Sequence, residues 1–222
     1  FFELCKDFFE VGKYKPTKCH HFIKLLEKNN VLLRNYTQNI DGLEHKAGIA
    51  PKLLVAHGTY TSATCQNAAC RKKFTSDHVQ QELAKAPKEG SVNVPICDKC
   101  NTGVVKPDIV FFGESLPELF EQSLMYDMPR CDMIIVIGTS LSVMPVAYLV
   151  EMVDSSCPRV LVNRDRSGPF EKTTGEKVQQ GERDWFVGGD IEKFAEEVCE
   201  ALDWKDDLDS LIKQQQLQES KL

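Results

Sequence analysis

HGTYTSATCQNAACRKKF (57–74) and VPICDKCNTGVVKPDIVFFGE (94–114) are the stretches on which the reading of this chain turns. Cys65 and Cys70 form one close pair, and Cys97 and Cys100 form a second. Two such pairs joined by a loop are how a chain sets four thiolates around Zn²⁺. A closed set of four sulfurs leaves the metal no vacant position, so its role is structural. A redox dithiol at Cys97/Cys100 is the competing reading. Such motifs follow a strand and open a helix, whereas Asp98-Lys99 stands in a polar loop with a second cysteine pair nearby.

Outside this insert the pattern is that of an α/β sheet. CDMIIVIGTSL (131–141) is a continuous apolar run, which predicts a central parallel strand buried on both faces. RVLVN (159–163), VLLRNY (31–36) and KLLVA (52–56) read as further short buried strands. Helices are expected from Thr17 to about Asn30, from Ser115 to about Tyr126, after Pro145, and from Asp190 through Leu202. Ser115 with Glu118 has capping-box spacing, with Pro117 near the first turn. Residues 1–10 place Leu4, Cys5, Phe8 and Phe9 on one helical face. Trp204 to Ile212 suits a last helix, followed by a frayed polar tail. Residues 76–91 carry no hydrophobic period and read as an exposed loop or a surface helix, and 164–184, polar and Gly-rich, read as a surface excursion. The fold class that follows is α/β: a Rossmann-like parallel sheet with helices on both faces and a small zinc-ribbon domain inserted.

Bulk properties narrow the function. The 222 residues are 42% hydrophobic and 27% charged, with net charge −6. The cations are scattered, so neither nucleic acid nor an anionic membrane is expected as a direct partner. No apolar run approaches the roughly 18 residues that span a bilayer. The cysteine count is nine, an odd number, and five of them sit singly in apolar patterns. That usage fits a reducing compartment better than a disulfide scaffold.

Ligands of open α/β sheets bind beyond the C-terminal ends of the strands. Three polar turns are expected there: Thr37–Asp41, Gly138–Ser140 and Asn163–Asp165. Gln38, Asn39 and Asp41 suit a floor for a sugar or carboxamide, and equally suit ordinary turn chemistry. Gly138-Thr139-Ser140 allows close approach of a nucleotide. Asn163 could read a ribose hydroxyl or simply close a turn. His57 follows a buried strand, and Gly58 permits close approach of backbone or ligand. An imidazole there suits general-base work. The residues alone leave open whether it is a base or a satisfied loop histidine.

TQNID (37–41), HG (57–58), the two cysteine pairs, KPDIVFFGESLP (106–117), GTSL (138–141) and LVNR (161–164) occur in this order. In this the chain resembles the sirtuins, NAD-dependent protein lysine deacylases, from residue 1 to about 213, most like the cytosolic sirtuin 2 type. The resemblance implies that an acyl-lysine lies in a tunnel between the Rossmann and zinc domains. Its amide oxygen attacks the anomeric carbon of the nicotinamide ribose, and nicotinamide leaves. His57 then activates a ribose hydroxyl, and water completes the reaction to deacylated lysine and O-acyl-ADP-ribose. By the same resemblance Gln38, Asn39, Ile40 and Asp41 hold the nicotinamide end. Gly138, Thr139, Ser140, Asn163, Arg164, Asp165 and Gly189 line the adenosine end. Val110, Phe111, Phe112, Gly113 and Glu114 match the strand that pairs with substrate backbone. Cys65, Cys70, Cys97 and Cys100 hold one structural Zn²⁺.

The implied domains are 1–15, the remnant of a helical module of the small domain; 16–56 with 111–213, the NAD-binding domain; 57–110, the zinc module; and 214–222, a polar tail. The implied substrates are acyl-lysine proteins of histone or tubulin type, and the implied setting is the cytoplasm, with the nucleus second. Two departures stand out. None of the thirteen glycines forms Gly-x-Gly, so the family's phosphate-binding loop and first strand are expected upstream of Phe1. On that expectation these 222 residues alone bind NAD weakly or not at all. Gly188-Gly189 stands where relatives carry a cysteine. The alternative function is a catalytically impaired sirtuin that serves as a zinc-containing interaction module.

Overall fold

A computed structural model describes residue 2 and residues 14–85, 93–172 and 183–219. The chain divides into two compact units. One comprises Phe1–Lys15, Tyr36–Leu43 and Val55–Pro117; the other comprises Pro16–Asn35, Glu44–Leu54 and Glu118–Leu222. The expected helix over residues 1–10 lies outside the described residues except for Phe2.

The first unit is built on a three-stranded antiparallel sheet. Its strands are β3 (Gly58–Cys65), β4 (Lys73–Thr75) and β5 (Val105–Ile109), in the order β4-β3-β5. The cysteine stretch is therefore more regular than its sequence suggests. Burial explains why: Val105, Pro107 and Ile109 alternate inward on β5, and Tyr60 and Ala63–Cys65 are buried on β3. The β3–β5 ladder pairs Cys65 with Val105 at one end and Gly58 with Ile109 at the other. Between Gly58 and Ala63 the register shifts, which marks a bulge in β3.

Helix α3 (Ser76–Ala84) closes this core with Val79 and Leu83, 0% and 4% exposed. Those two lie four residues apart on one face, so of the two readings of 76–91 this part takes the helical one, with one face buried. Residues 86–91 lie outside the described residues.

The second unit holds a parallel sheet of β6 (Ile134–Ile137), β7 (Arg159–Asn163) and β8 (Asp184–Gly188), in the order β6-β7-β8. Among the described residues β7, not β6, is the central strand. Leu161 and Val162 are 0% and 1% exposed, whereas β6 is half-buried with Met133 exposed just before it. The apolar run at 131–141 thus overstated burial: β6 pairs with β7 on one edge and has no described strand on the other.

The expected excursion at 164–184 contains two structural pieces. Phe170, in a 3-10 turn (Gly168–Lys172), is fully buried against Val136, Val150 and Leu161. Residues 184–188 form β8, while 173–182 lie outside the described residues.

Two short strands, β1 (Asn35–Thr37) and β2 (Leu53–Val55), pair with one another. The Asn35 N–H donates to the Lys52 carbonyl, and the Ala56 N–H donates to the Thr37 carbonyl. Helix α2 (Leu43–Lys46) falls in the connection between them.

Helix α1 (Lys18–Lys28) begins at Thr17, whose N–H donates to His20 Nδ1 at 3.2 Å. Its apolar face packs with α6 (Ile191–Ala201) and α7 (Lys205–Glu219) through Phe22, Leu25, Ala195, Cys199 and Leu208. Full burial of Phe22 and Leu25 stabilises the unit by roughly 2–3 kcal/mol each. Asp190 caps α6, accepting from the Glu192 and Lys193 amides at 2.7 and 3.4 Å. Leu202, expected inward, is 45% exposed because α6 ends at Ala201. Helix α7 continues through Gln214–Glu219, where a frayed tail was expected; the glutamines there are good helix formers. Helix α4 (Glu118–Asp127) begins directly after Pro117, so that proline precedes the first turn. Helix α5 (Leu149–Met152) follows a 3-10 turn at Val146–Tyr148, with Val146, Leu149, Val150 and Val153 inward as expected. No helix among the described residues is long and apolar enough to cross a membrane.

Arg159 ties the parallel sheet together. It is 5% exposed and donates to Asp184 on β8, to the Val150 carbonyl at 2.9 Å and to Glu151 at 3.2 Å. Its guanidinium lies 5.5 Å from the Phe170 ring centroid. Removing one partner of a buried ion pair costs about 3–5 kcal/mol because the other charge is stranded. Arg159→Leu is therefore expected to lower the unfolding free energy of this unit by about 3 kcal/mol. Urea titration followed by Trp185 fluorescence checks this, and Arg159→Leu/Asp184→Leu should regain part of the loss.

Candidate active site and metal centre

The four cysteine sulfurs lie within 4.8 Å of one another. Cys65 Sγ and Cys100 Sγ are 3.7 Å apart, as are Cys70 Sγ and Cys97 Sγ. Zinc–sulfur bonds of about 2.3 Å at tetrahedral angles require sulfur–sulfur edges of about 3.8 Å. The cluster therefore fits a structural Zn²⁺. Main-chain amides face the sulfurs: Lys99 N–H donates to Cys97 Sγ at 3.4 Å, and Gly103 N–H donates to Cys100 Sγ at 3.3 Å. A Cβ on Gly103 would stand 2.3 Å from Cys65 Sγ, so only glycine fits this wall.

The thiols are unequal. The amides of Thr102 and Gly103 bring Cys100 down to about 6, while burial pushes Cys65 up to about 12. Structural zinc sites contribute roughly 10–16 kcal/mol in isolated zinc peptides.

His57 directly precedes β3. Its Nδ1 lies 3.0 Å from the Gln38 carbonyl. A carbonyl only accepts, so Nδ1 carries the proton and Nε2 keeps its lone pair. That is the tautomer a general base needs. Gly58 lies at φ +72°, and a Cβ there would meet the Asp108 carbonyl oxygen at 2.0 Å. The glycine is thus required by strand packing. The main chain of His57 also accepts from the Val110 N–H at 2.9 Å, which joins the start of β3 to the segment after β5.

Around His57 the same unit gathers the TQNID turn. Asn39 N–H donates to Thr37 Oγ1 at 3.1 Å, and the Asn39 side chain is exposed. Asp41 Oδ1 accepts from Leu43 N–H at 3.0 Å, and its main-chain carbonyl accepts from Tyr60 OH at 2.9 Å. Burial, then the Asp41 charge, pushes the Tyr60 phenol up to about 12. Ile40 packs against the core of this unit. The structure thus brings Gln38 and His57 into direct contact and holds Asp41 through Tyr60. Sequence reasoning passed over Tyr60; its position three residues after His57 on an alternating strand was the available signal.

Val110–Glu114 is not a regular strand. Strand β5 ends at Ile109, and Phe111–Glu114 is a turn in which Glu114 N–H donates to the Phe111 carbonyl at 2.9 Å. Gly113 takes φ +87°, which a turn of this kind requires. Phe112 is 95% exposed. β5 itself is the outer strand of the order β4-β3-β5. An open groove of about 660 Å³ runs along this face, lined by Gly58, Ser62, Lys73, Lys106, Asp108 and Glu114 among others. Burial raises the Asp108 carboxyl, but the Ser62 and Thr64 hydroxyls and Lys73 outweigh it and hold it below the usual range.

In the other unit the C-terminal ends of β6, β7 and β8 carry Gly138, Asn163 and Gly189. Asn163 Nδ2 donates to the Thr139 carbonyl at 3.0 Å, and its Oδ1 accepts from Arg164 N–H at 3.0 Å. The Gly189 N–H donates to the Asn163 carbonyl at 3.0 Å. Ser167, 9% exposed, adds a hydroxyl to the Thr139 carbonyl at 3.2 Å. Sequence reasoning did not single it out, since it sits in a polar stretch. Gly138 and Gly189 take φ of +65° and +127°. Arg164, Asp165 and Ser140 are exposed. The turns that follow β6, β7 and β8 are thus tied together at one end of the parallel sheet.

A parallel nucleotide-type sheet combined with a four-cysteine ribbon defines the sirtuin fold. The Sir2 family profile matches residues 1–145, and the chain belongs to that family. It is 38% identical over 229 residues to "NAD-dependent protein deacetylase sirtuin-2" of Danio rerio, covering 97% of this chain and 57% of that protein. To "NAD-dependent protein deacetylase sirtuin-3" of Mus musculus it is 42% identical over 216 residues, covering 97% and 60%. The solved structure described as "The Structural basis for Sirtuin Substrate affinity" matches with TM-score 0.74 and 31% identity, covering 88% of this chain and 76% of that one. The chain thus spans about three-fifths of the length of these two deacetylases.

Removing one ligand should empty the metal site. Cys97→Ser is expected to lose stoichiometric zinc and the near-ultraviolet ellipticity of Tyr60, while far-ultraviolet signal from α1, α6 and α7 persists. Metal analysis and circular dichroism check this; full zinc retention would contradict the assignment.

Proposed function

We propose that the protein containing this chain is an NAD-dependent protein lysine deacetylase. The observation that carries the reading is the His57–Gln38 hydrogen bond, which leaves Nε2 as a ready base beside the TQNID turn. The relatives named as NAD-dependent protein deacetylases, 38–42% identical over nearly the whole chain, support it.

NAD, when bound, supplies an anomeric carbon whose bond to nicotinamide is the labile one, and an acceptor for the acyl group. The residues present fit such a ligand in two sets. Gly138, Thr139, Ser140, Asn163, Arg164, Asp165 and Gly189, at the carboxyl ends of parallel strands, suit the adenosine end. Here Gly138 and Gly189 leave main chain open to close approach, and a Cβ on Gly189 would meet nothing within 4 Å. Gln38, Asn39, Ile40 and Asp41 suit the nicotinamide end, with the Asn39 side chain exposed to donate and accept.

His57 acts through Nε2, which takes a proton from a hydroxyl while Nδ1 stays tied to the Gln38 carbonyl. That tie fixes the tautomer and the ring plane. The zinc takes no part in the chemistry, because all four of its positions are filled by thiolates. Val110–Glu114, with Gly113 open at the turn, suits main-chain recognition of an extended acyl-lysine peptide. Sequence preference under that mode is broad, in keeping with histone- or tubulin-type substrates. Nine cysteines, an odd number and mostly single, support a cytoplasmic setting with the nucleus second.

General-base removal typically costs 10²–10⁴-fold in rate. In the full-length protein His57→Ala is expected to lower NAD-dependent deacetylation of an acetyl-lysine peptide by about that factor, with zinc stoichiometry unchanged. Turnover within a few fold of wild type would end the assignment of His57.

A further inference from the structure

We propose that Lys106 is a positioning residue that pre-sets the turn Val110–Glu114 for an acyl-lysine peptide. This deepens the deacetylase reading and rests on it.

Lys106 lies on β5, and its side chain is only 20% exposed. Its ammonium reaches forward over the end of the strand. Nζ donates to the Ile109 carbonyl at 2.9 Å and to Glu114 Oε2 at 2.8 Å. The same Oε2 accepts from the Phe111 N–H at 2.9 Å. The Glu114 N–H returns to the Phe111 carbonyl at 2.9 Å. Nζ also stands 4.7 Å from the centroid of the Phe111 ring. One cation therefore fixes the last residue of β5, the ring of Phe111 and, through Glu114, both main-chain groups of Phe111.

This arrangement differs from an ordinary surface ion pair. Isolated exposed pairs hold two long side chains together and little else. Here the carboxylate spends a lone pair on a main-chain N–H within the turn. The ammonium likewise spends a proton on the carbonyl that enters it. The bonds close around a turn whose tip is Phe112-Gly113, with Phe112 95% exposed and Gly113 at φ +87°. Nothing would meet a Cβ at Gly113 within 4 Å, so that glycine is required by conformation and not by crowding. The Lys106 hydrogen bond, then the Phe111 amide, hold the Glu114 carboxyl below its usual range. A segment that docks peptide main chain binds best when its own main chain is already set, since ordering is then not lost on binding.

The test uses the full-length, zinc-loaded protein with Lys106→Met, which keeps the aliphatic stem, and Lys106→Arg, which keeps the charge. Hydrogen exchange at residues 110–114 reads the clamp, and steady-state kinetics with an acetyl-lysine peptide reads its use. In Lys106→Met, exchange at the Phe111 and Glu114 amides should rise. The peptide KM should rise about tenfold. The KM for NAD, kcat and zinc content should stay close to wild type, and Lys106→Arg should restore most of the peptide KM. Unchanged exchange in Lys106→Met overturns the clamp. Raised exchange with an unchanged peptide KM overturns the positioning role, as does a loss shared equally by the KM for NAD and kcat. If the wild-type protein shows no NAD-dependent turnover at all, the deacetylase reading falls and the peptide role of Lys106 with it, whereas a flat KM in an active enzyme sinks this proposal alone.

Discussion

Four sulfurs must meet at tetrahedral spacing, and the local structure of the ribbon unit follows from that constraint. Two of the sulfurs come from turns, Cys70 before β4 and Cys100 before β5, and Cys65 ends β3. Holding them together sets Cys65 opposite Val105 and so starts the β3–β5 ladder in register. The same ladder ends with Gly58 opposite Ile109, one residue from His57 on one strand and from Val110 on the other. The cysteine cluster thus stands at one end of the ladder, and the proposed base and the proposed peptide segment at the other. The bulge between Gly58 and Ala63 interrupts the ladder, and within it Tyr60 turns inward to reach the Asp41 carbonyl.

The proposed base is organised by main chain more than by side chains. In many histidine bases a carboxylate orients the ring. Here the Gln38 carbonyl does so, through a neutral hydrogen bond that sets the tautomer without adding charge. Asp41 nearby is occupied with capping α2 and receiving Tyr60. The backbone of the turn TQNID therefore orients His57 while the Asn39 side chain stays exposed.

Much of this was legible in the residues. Cysteine spacing pointed to the metal cluster, because ligand geometry leaves few alternatives. The apolar runs at 134–137 and 159–163 marked two of the three parallel strands. Strand β8 was not legible: Trp185, Phe186 and Val187 stand alone between polar segments, too short a run to separate from a loop. Phe170 was missed for the same reason, being a lone aromatic whose burial is decided by tertiary packing. Helix α3 could not be told from a loop, because only two buried residues, Val79 and Leu83, mark its apolar face. In the site, the motifs named the residues but not their bonds. That His57 leans on a carbonyl, or that Lys106 bridges Ile109 and Glu114, depends on a ladder register that sequence spacing does not encode. The substrate segment was expected as a strand and is a turn, since Glu114 folds back onto Phe111.

Gly58 carries a consequence for how this sequence can change over time. Its α-carbon is pressed against the Asp108 carbonyl, so no side chain fits there, while the neighbouring imidazole is only partly buried. The two residues of the His-Gly pair are thus constrained on different grounds, His57 by the chemistry proposed for it and Gly58 by the packing of β3 on β5. A side chain at Gly58 would be felt as lost folding whether or not the imidazole beside it acts.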